Sequence, residues 1–155
     1  MRPREVETDA DVVAEKSLQL WDAGYYCAES VLLAVAEALH LSCEAIPRIA
    51  TGLCSGLART GGLCGALAGA MLAIGVVLGR NSPEDSEDRC YDAIHRVTQA
   101  FTDRFGAQDC FTLAGCHLGT EAGQAQYRAS GQRSRCGRYV YEATRLTMET
   151  LRSQP

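Results

Sequence analysis

The chain contains no CxxC pair, no HExxH, no glycine-rich phosphate loop and no serine–histidine–acid arrangement. Zinc ribbons and thioredoxin-like dithiols depend on closely spaced cysteine pairs, so neither is encoded here. Zinc peptidase, phosphate-loop and triad-hydrolase chemistries lose their local signatures in the same way. No apolar run reaches the roughly 20 residues that span a bilayer. The longest, Leu63 to Leu78, is interrupted by Gly65, Gly69 and Gly75 and reads as a buried core helix. No segment alternates apolar and polar residues with β-branched enrichment, and there is no internal repeat or low-complexity tract. The opening MRPREVETDADVVAEK is charged and lacks an apolar h-region. A cytoplasmic, reducing compartment is therefore expected. Excess positive charge is also missing: 15 basic residues against 19 acidic ones leave a net charge of −4, which argues against nucleic acid as a partner.

What is present is helical periodicity. Asp9 to Trp21 places Val13, Leu20 and Ala14, Leu18, Trp21 at helical spacings, and Gly24 breaks the pattern. Ala28 to Leu39 follows, with Val31, Leu32, Val35 and Leu39 on one side. Ser82-Pro83-Glu84-Asp85 reads as a helix start, a serine cap followed by proline and acids. The helix it opens carries Cys90, Ile94, Val97, Phe101 and Phe105 on one face and ends at Gly106. Gly115 to Gly131 reads as a loop with at most a short helix, and a last helix is expected from Cys136 to Leu151. The fold class is thus all-α: a single-domain bundle of five or six helices with a glycine-rich segment, covering residues 1–155 with flexible ends at 1–8 and 152–155. Gly65, Gly69 and Ala73, at spacing four, form a small-residue stripe that suits close helix packing or, equally, a homodimer contact.

Eight cysteines remain to be explained. A domain of this length buries enough surface to fold without staples, so the cysteines are not needed as structural crosslinks. Cys27 and Cys64 fall at expected helix starts, and Cys136 opens the expected last helix beside Arg133, Arg135 and Arg138. Unpaired N–H groups and the helix dipole at such positions favour a thiolate, the form that binds metals and attacks disulfides. Cys110 lies in the loop FGAQDC, able to complete a set of four. Cys54 and Cys116 are near enough in sequence to join them. Cys90 lies on an apolar helix face and reads as core filler, and Cys43 as incidental. His40, His95 and His117 read as structural or exposed, with His117, next to Cys116, the least bland.

GYYCAESVL, the glycine-rich segment with CGALAG, FGAQDC and RCGRYV together resemble the C_GCAxxG_C_C family of redox-active proteins. The resemblance runs from Trp21 to Tyr141. It implies a redox role and a signature formed by Cys64 to Gly69 together with Cys27, Cys110 and Cys136. A similar cysteine module occurs in split-Soret cytochromes, where it is associated with a [2Fe-2S] cluster. Cys43, Cys54, Cys90 and Cys116 lie outside that signature.

Four readings stay open at this point. Four thiolates match the ligand count of a [2Fe-2S] cluster serving electron transfer or sensing. Thiol–disulfide exchange through pairs such as Cys27–Cys64 and Cys110–Cys136 would use the same residues. Soft-metal binding, of zinc or cuprous ion, would as well. The plain alternative is a helical interaction module with structural cysteines. The first two call for a redox partner protein that the sequence leaves unnamed.

Overall fold

A computed structural model describes residues 9–155; the expected flexible stretch 1–8 lies outside the described residues. Among the described residues there are helices and no strands. The order is α1 (Ala10–Asp22), α2 (Cys27–Ala38), a 3-10 turn (Arg48–Leu53), α3 (Cys54–Arg59), α4 (Gly65–Leu78), α5 (Asp88–Phe105), α6 (Cys110–Ala114), α7 (Glu121–Ala129) and α8 (Gln132–Arg152). Among the described residues, eight α-helices and one 3-10 turn replace the five or six helices expected. The additional ones are short: α3 and α6 span six and five residues, too few for a periodic pattern to reveal them. The stretch expected as a loop with at most a short helix holds the nine-residue α7, started by Thr120, whose hydroxyl accepts from Gly123 N at 3.0 Å.

The long helices form where their apolar faces predict. α8 packs on α1, α2, α4 and α5, and α2 lies along α4. Val13, Leu20, Trp21, Val31, Leu32, Val35, Leu67, Ile74, Val97, Phe101, Val140 and Met148 belong to one buried apolar cluster. Each fully buried large side chain in it contributes roughly 1.5–3 kcal/mol relative to exposure. Phe101, Phe105 and Tyr139 meet edge to face, with centroids 4.8 to 6.1 Å apart, joining α5 to α8. Gly106, at φ +82°, ends α5 in the left-handed conformation.

The small-residue stripe is used inside the chain. A Cβ on Gly69 would lie 2.6 Å from the Ala28 carbonyl oxygen and 2.9 Å from its Cα, so α2 and α4 touch backbone to backbone there. Gly65 and Gly69 are buried, and the stripe faces α2.

Ser82-Pro83 does not start α5. Asp85 turns its carboxylate back to accept from the N–H groups of Asn81 and Ser82 at 2.9 and 3.1 Å, which makes a turn. The helix begins at Asp88, whose N–H is received by Ser86 Oγ at 3.1 Å. α8 likewise starts at Gln132, four residues before Cys136.

Candidate functional site

Cys27, Cys64, Cys110 and Cys136 line one cavity of about 160 Å³, together with Trp21, Tyr26, Arg59, Tyr127, Arg128, Arg133 and Tyr139. Each cysteine arrives on a different helix. Cys27 is the first residue of α2, Cys64 the N-cap of α4 and Cys110 the first residue of α6. Cys136 sits inside α8, in its second turn, not at its start. Expectation and outcome are thus exchanged for two residues: Cys110, expected in a loop, opens a helix, while Cys136, expected to open one, does not.

Local chemistry fixes each position. Glu29 accepts the N–H of Tyr26 at 2.9 Å, closing the start of α2, and its other oxygen accepts from Thr51 Oγ1 at 2.7 Å. That carboxylate ties the 3-10 turn, and Cys54 after it, to the helix bearing Cys27. Leu63 and Asp109 form an isolated antiparallel bridge. Cys64 N donates to Gln108 O and Cys110 N to Gly62 O, both at 2.7 Å, so the bridge sets these two cysteines in register. Asp109 caps α6 by accepting from Thr112 N at 2.8 Å.

Between the 3-10 turn and this bridge, α3 runs left-handed. Ser55, Gly56, Leu57, Ala58 and Arg59 all have φ between +55° and +69°. Such a conformation costs an ordinary residue roughly 1–2 kcal/mol, and four of these five are not glycine. Thr60 Oγ1 donates to Gly56 O and Leu57 O at 3.1 and 3.0 Å, and Gly62 N donates to Gly56 O at 3.1 Å, which holds the turn closed. Strain of this size gathers at ligand clamps and switch segments. Here it seats backbone on cysteine: a Cβ on Gly56 would fall on Cys110 Cβ, with Cys110 Sγ at 3.1 Å, and Ser55 N donates to Cys27 Sγ at 3.4 Å.

Burial, not helix position, governs the thiols in the metal-free chain. Cys64 is 6% exposed, and loss of water pushes its thiol up to about 12 despite N–H groups of Leu67 and Ala66 that favour the thiolate. Burial likewise raises Cys110 to about 11, with Cys136 and Cys116 adding to the rise. Cys136 is raised by burial and partly relieved by hydrogen bonds from Tyr127 and Gln132. The lowering expected at Cys64 from its helix start, and at Cys136 from a helix start and neighbouring arginines, is therefore outweighed. Cys54 is the exception. It and Cys27 form a coupled pair in which Cys54 is lowered by the Cys27 thiol, while Cys27 is raised by its neighbour Cys54 and by burial.

All eight cysteines are free thiols. Cys54 is 3% exposed, packs behind Cys27 and donates to Ala50 O at 3.4 Å. Cys116 is buried and bears on Cys110 and Cys136. Cys90 is in the core and Cys43 is exposed, as their sequence positions suggest. His117 serves its loop, its Nδ1 accepting from Gly119 N at 3.0 Å and its ring packing on Phe111. Among the described residues, no three His, Cys, Asp or Glu side chains are gathered closely enough to hold a single metal ion.

Two contributors had no sequence signal of their own. Gln132, 1% exposed, donates from Nε2 to Leu113 O at 3.0 Å and reaches Cys136 Sγ at 3.8 Å. Its spacing of four from Cys136 identifies it once α8 is known to begin there. Tyr127 enters from α7, in the stretch expected to be a loop with at most a short helix.

A family model described as "Putative redox-active protein (C_GCAxxG_C_C)" matches residues 25–150. No curated protein matches the chain, and no solved structure does. Among the described residues no helix is long and apolar enough to cross a membrane.

Proposed function

We propose, because the chain belongs to the C_GCAxxG_C_C family, that it is a redox protein whose Cys27, Cys64, Cys110 and Cys136 hold an iron–sulfur cluster of the [2Fe-2S] type. The observation that carries this reading is the meeting of four cysteines from four helices on one cavity wall. Four thiolates are the ligand count for such a cluster. The four cysteines line a cavity of about 160 Å³. A cavity on the order of 150 Å³ admits a group as large as benzene, so the site suits something larger than a bare ion.

When bound, a cluster of this kind supplies a one-electron carrier. The chain's own residues supply its setting. Arg59, Arg128 and Arg133 line the cavity and offset negative charge gathered on the sulfurs. Ser55 N donates to Cys27 Sγ, and Gln132 Nε2 to Cys136 Sγ. Hydrogen bonds to sulfur and exclusion of solvent are the levers that set the potential of such a site. Thiols held neutral by burial ionise on coordinating a metal, so loading the site releases protons.

The test is anaerobic purification followed by a visible spectrum and assays of iron, zinc, copper and acid-labile sulfide. Visible charge-transfer bands with iron and sulfide in equal amounts are expected. Colourless protein with no iron, or zinc or copper in its place, overturns the cluster.

A further inference from the structure

We infer that Cys27 and Cys54 form a reversible dithiol–disulfide pair, Cys27 being the thiol that meets a small disulfide in the cavity and Cys54 the thiol that resolves it. This goes beyond the cluster reading and concerns the metal-free chain, in which Cys27 is free to react.

The geometry lies in the space around Gly65. A Cβ on that residue would fall on the Cys27 sulfur and stand 3.1 Å from Cys54 Cα, so the two cysteines flank one point. Ser55 N, the next backbone group after Cys54, donates to Cys27 Sγ at 3.4 Å. The Cys27 sulfur thus rests directly on the backbone that carries Cys54. A disulfide needs Cβ atoms roughly 3.5–4.5 Å apart. The Cys54 thiol donates to Ala50 O at 3.4 Å and already interacts side chain to side chain with the Cys27 thiol, and forming the bond requires these two side chains to turn toward each other. Glycine at 65 leaves room for this.

Access divides the roles. Cys27 and Ser55 are on the cavity wall, whereas Cys54 is buried behind them at 3% exposure. An incoming disulfide meets Cys27 first, and Arg59 and Arg128 at the same cavity suit one that carries carboxylates. Cys27 as thiolate attacks one sulfur of the small disulfide; that S–S bond breaks, and the first small thiol leaves with the proton Cys27 gave up. Cys54 as thiolate then attacks the Cys27 sulfur of the mixed disulfide, and the second small thiol leaves with the Cys54 proton. Two electrons pass from the protein dithiol to the small disulfide, which ends as two thiols. The bond withdraws Cys27 from the four-cysteine set, so the oxidised pair and a four-thiolate cluster exclude each other.

The experiment treats metal-free, reduced full-length chain with glutathione disulfide, blocks remaining thiols by alkylation and maps the products by mass spectrometry. The expected product joins the Cys27 and Cys54 peptides, with two glutathione molecules released per chain and Cys64, Cys110 and Cys136 alkylated. Cys54→Ser should release only one and retain glutathione on Cys27. Cys27 joined to Cys64, glutathione persisting on Cys27 beside an alkylated Cys54 in the unaltered chain, or no oxidation of either overturns the inference. Mapping of the unaltered chain is decisive even if Cys54→Ser folds poorly. The cluster reading is judged separately, by iron in anaerobic protein; Cys54→Ser should keep that iron.

Discussion

Arg133 stacks over the ring of Trp21, its guanidinium carbon 4.4 Å from the ring centroid, and donates from Nη2 to the Trp21 carbonyl oxygen at 2.6 Å. One side chain from the first turn of α8 thereby closes the last turn of α1, and both residues line the cysteine cavity. Arg133→Ala should cost about 1–2 kcal/mol, from a charge-assisted hydrogen bond and a cation–π contact. Trp21 is the one tryptophan in the chain, so its fluorescence reports the change without background. Arg133→Lys keeps the charge but not the planar fork and should recover only part of the loss. Unchanged emission and denaturation midpoint in the alanine variant would remove this clasp from the account.

The backbone contact between α2 and α4 separates two glycines of one helix. Gly69→Ala forces a methyl group to within 2.6 Å of a carbonyl oxygen on α2 and should destabilise by about 1–3 kcal/mol. Gly75→Ala, where nothing lies within 4 Å, should stabilise by about 0.5–1 kcal/mol through helix propensity alone. Urea denaturation of both variants gives the comparison, and equal effects of one sign would contradict the packing.

An alanine-to-glycine change ordinarily weakens a helix, but Ala58 has φ +56°. Ala58→Gly should therefore leave stability unchanged or raise it by up to about 1 kcal/mol, because relief of left-handed strain opposes the added freedom of the unfolded chain. A clear loss in thermal melts would mean that the left-handed turn does not exist in solution.

Stability of the metal-free chain should fall in alkali. The folded state holds Cys64 protonated up to about 12 and Cys110 to about 11, above an unfolded thiol near 9.0. In that interval the unfolded chain binds fewer protons than the folded one, so rising pH favours unfolding. The contribution is intact below the unfolded value and lost as pH climbs through the folded values. Melting temperatures between about pH 8 and pH 11 measure it. Cys64→Ser should flatten the decline, and an equally steep decline in that variant would count against burial of Cys64 as its source.

Cys64 and Cys90 are both buried but have different neighbours. Cys90→Ala should cost on the order of 1 kcal/mol of packing and leave metal content unchanged. Cys64→Ser should remove bound iron while retaining helical circular dichroism. Loss of iron from both would show that the four-cysteine assignment is too narrow.

The sequence made the long helices legible because each buries a continuous face. Val31, Leu32 and Val35, or Val97 and Phe101, repeat often enough for helical spacing to stand out. Three features escaped it for distinct reasons. At Ser82-Pro83, the Asp85 carboxylate reaches back to the N–H groups of Asn81 and Ser82 and makes a turn where a cap is equally well spelled. At Ser55 to Arg59, four residues with side chains take positive φ, a choice imposed by surrounding contacts and invisible to propensity. At the cysteines, placement suggested activated thiols, but burial works against ionisation and is a property of the assembled fold. Expected helix starts single out Cys27, Cys64 and Cys136, and the family resemblance adds Cys110; the proximity of Cys54 to Cys27 depends on Gly65 and the turn beside it, and no spacing encodes that.

The two bonds of the Leu63–Asp109 bridge are donated by the amides of Cys64 and Cys110 themselves. Hydrogen exchange at these two positions therefore measures the opening of the cavity wall directly. Protection lost at one should be lost at the other at the same rate, since a single rupture frees both. Two residues far apart in the chain thus share one opening equilibrium, and any reagent or partner that reaches one sulfur by that route gains the second in the same event.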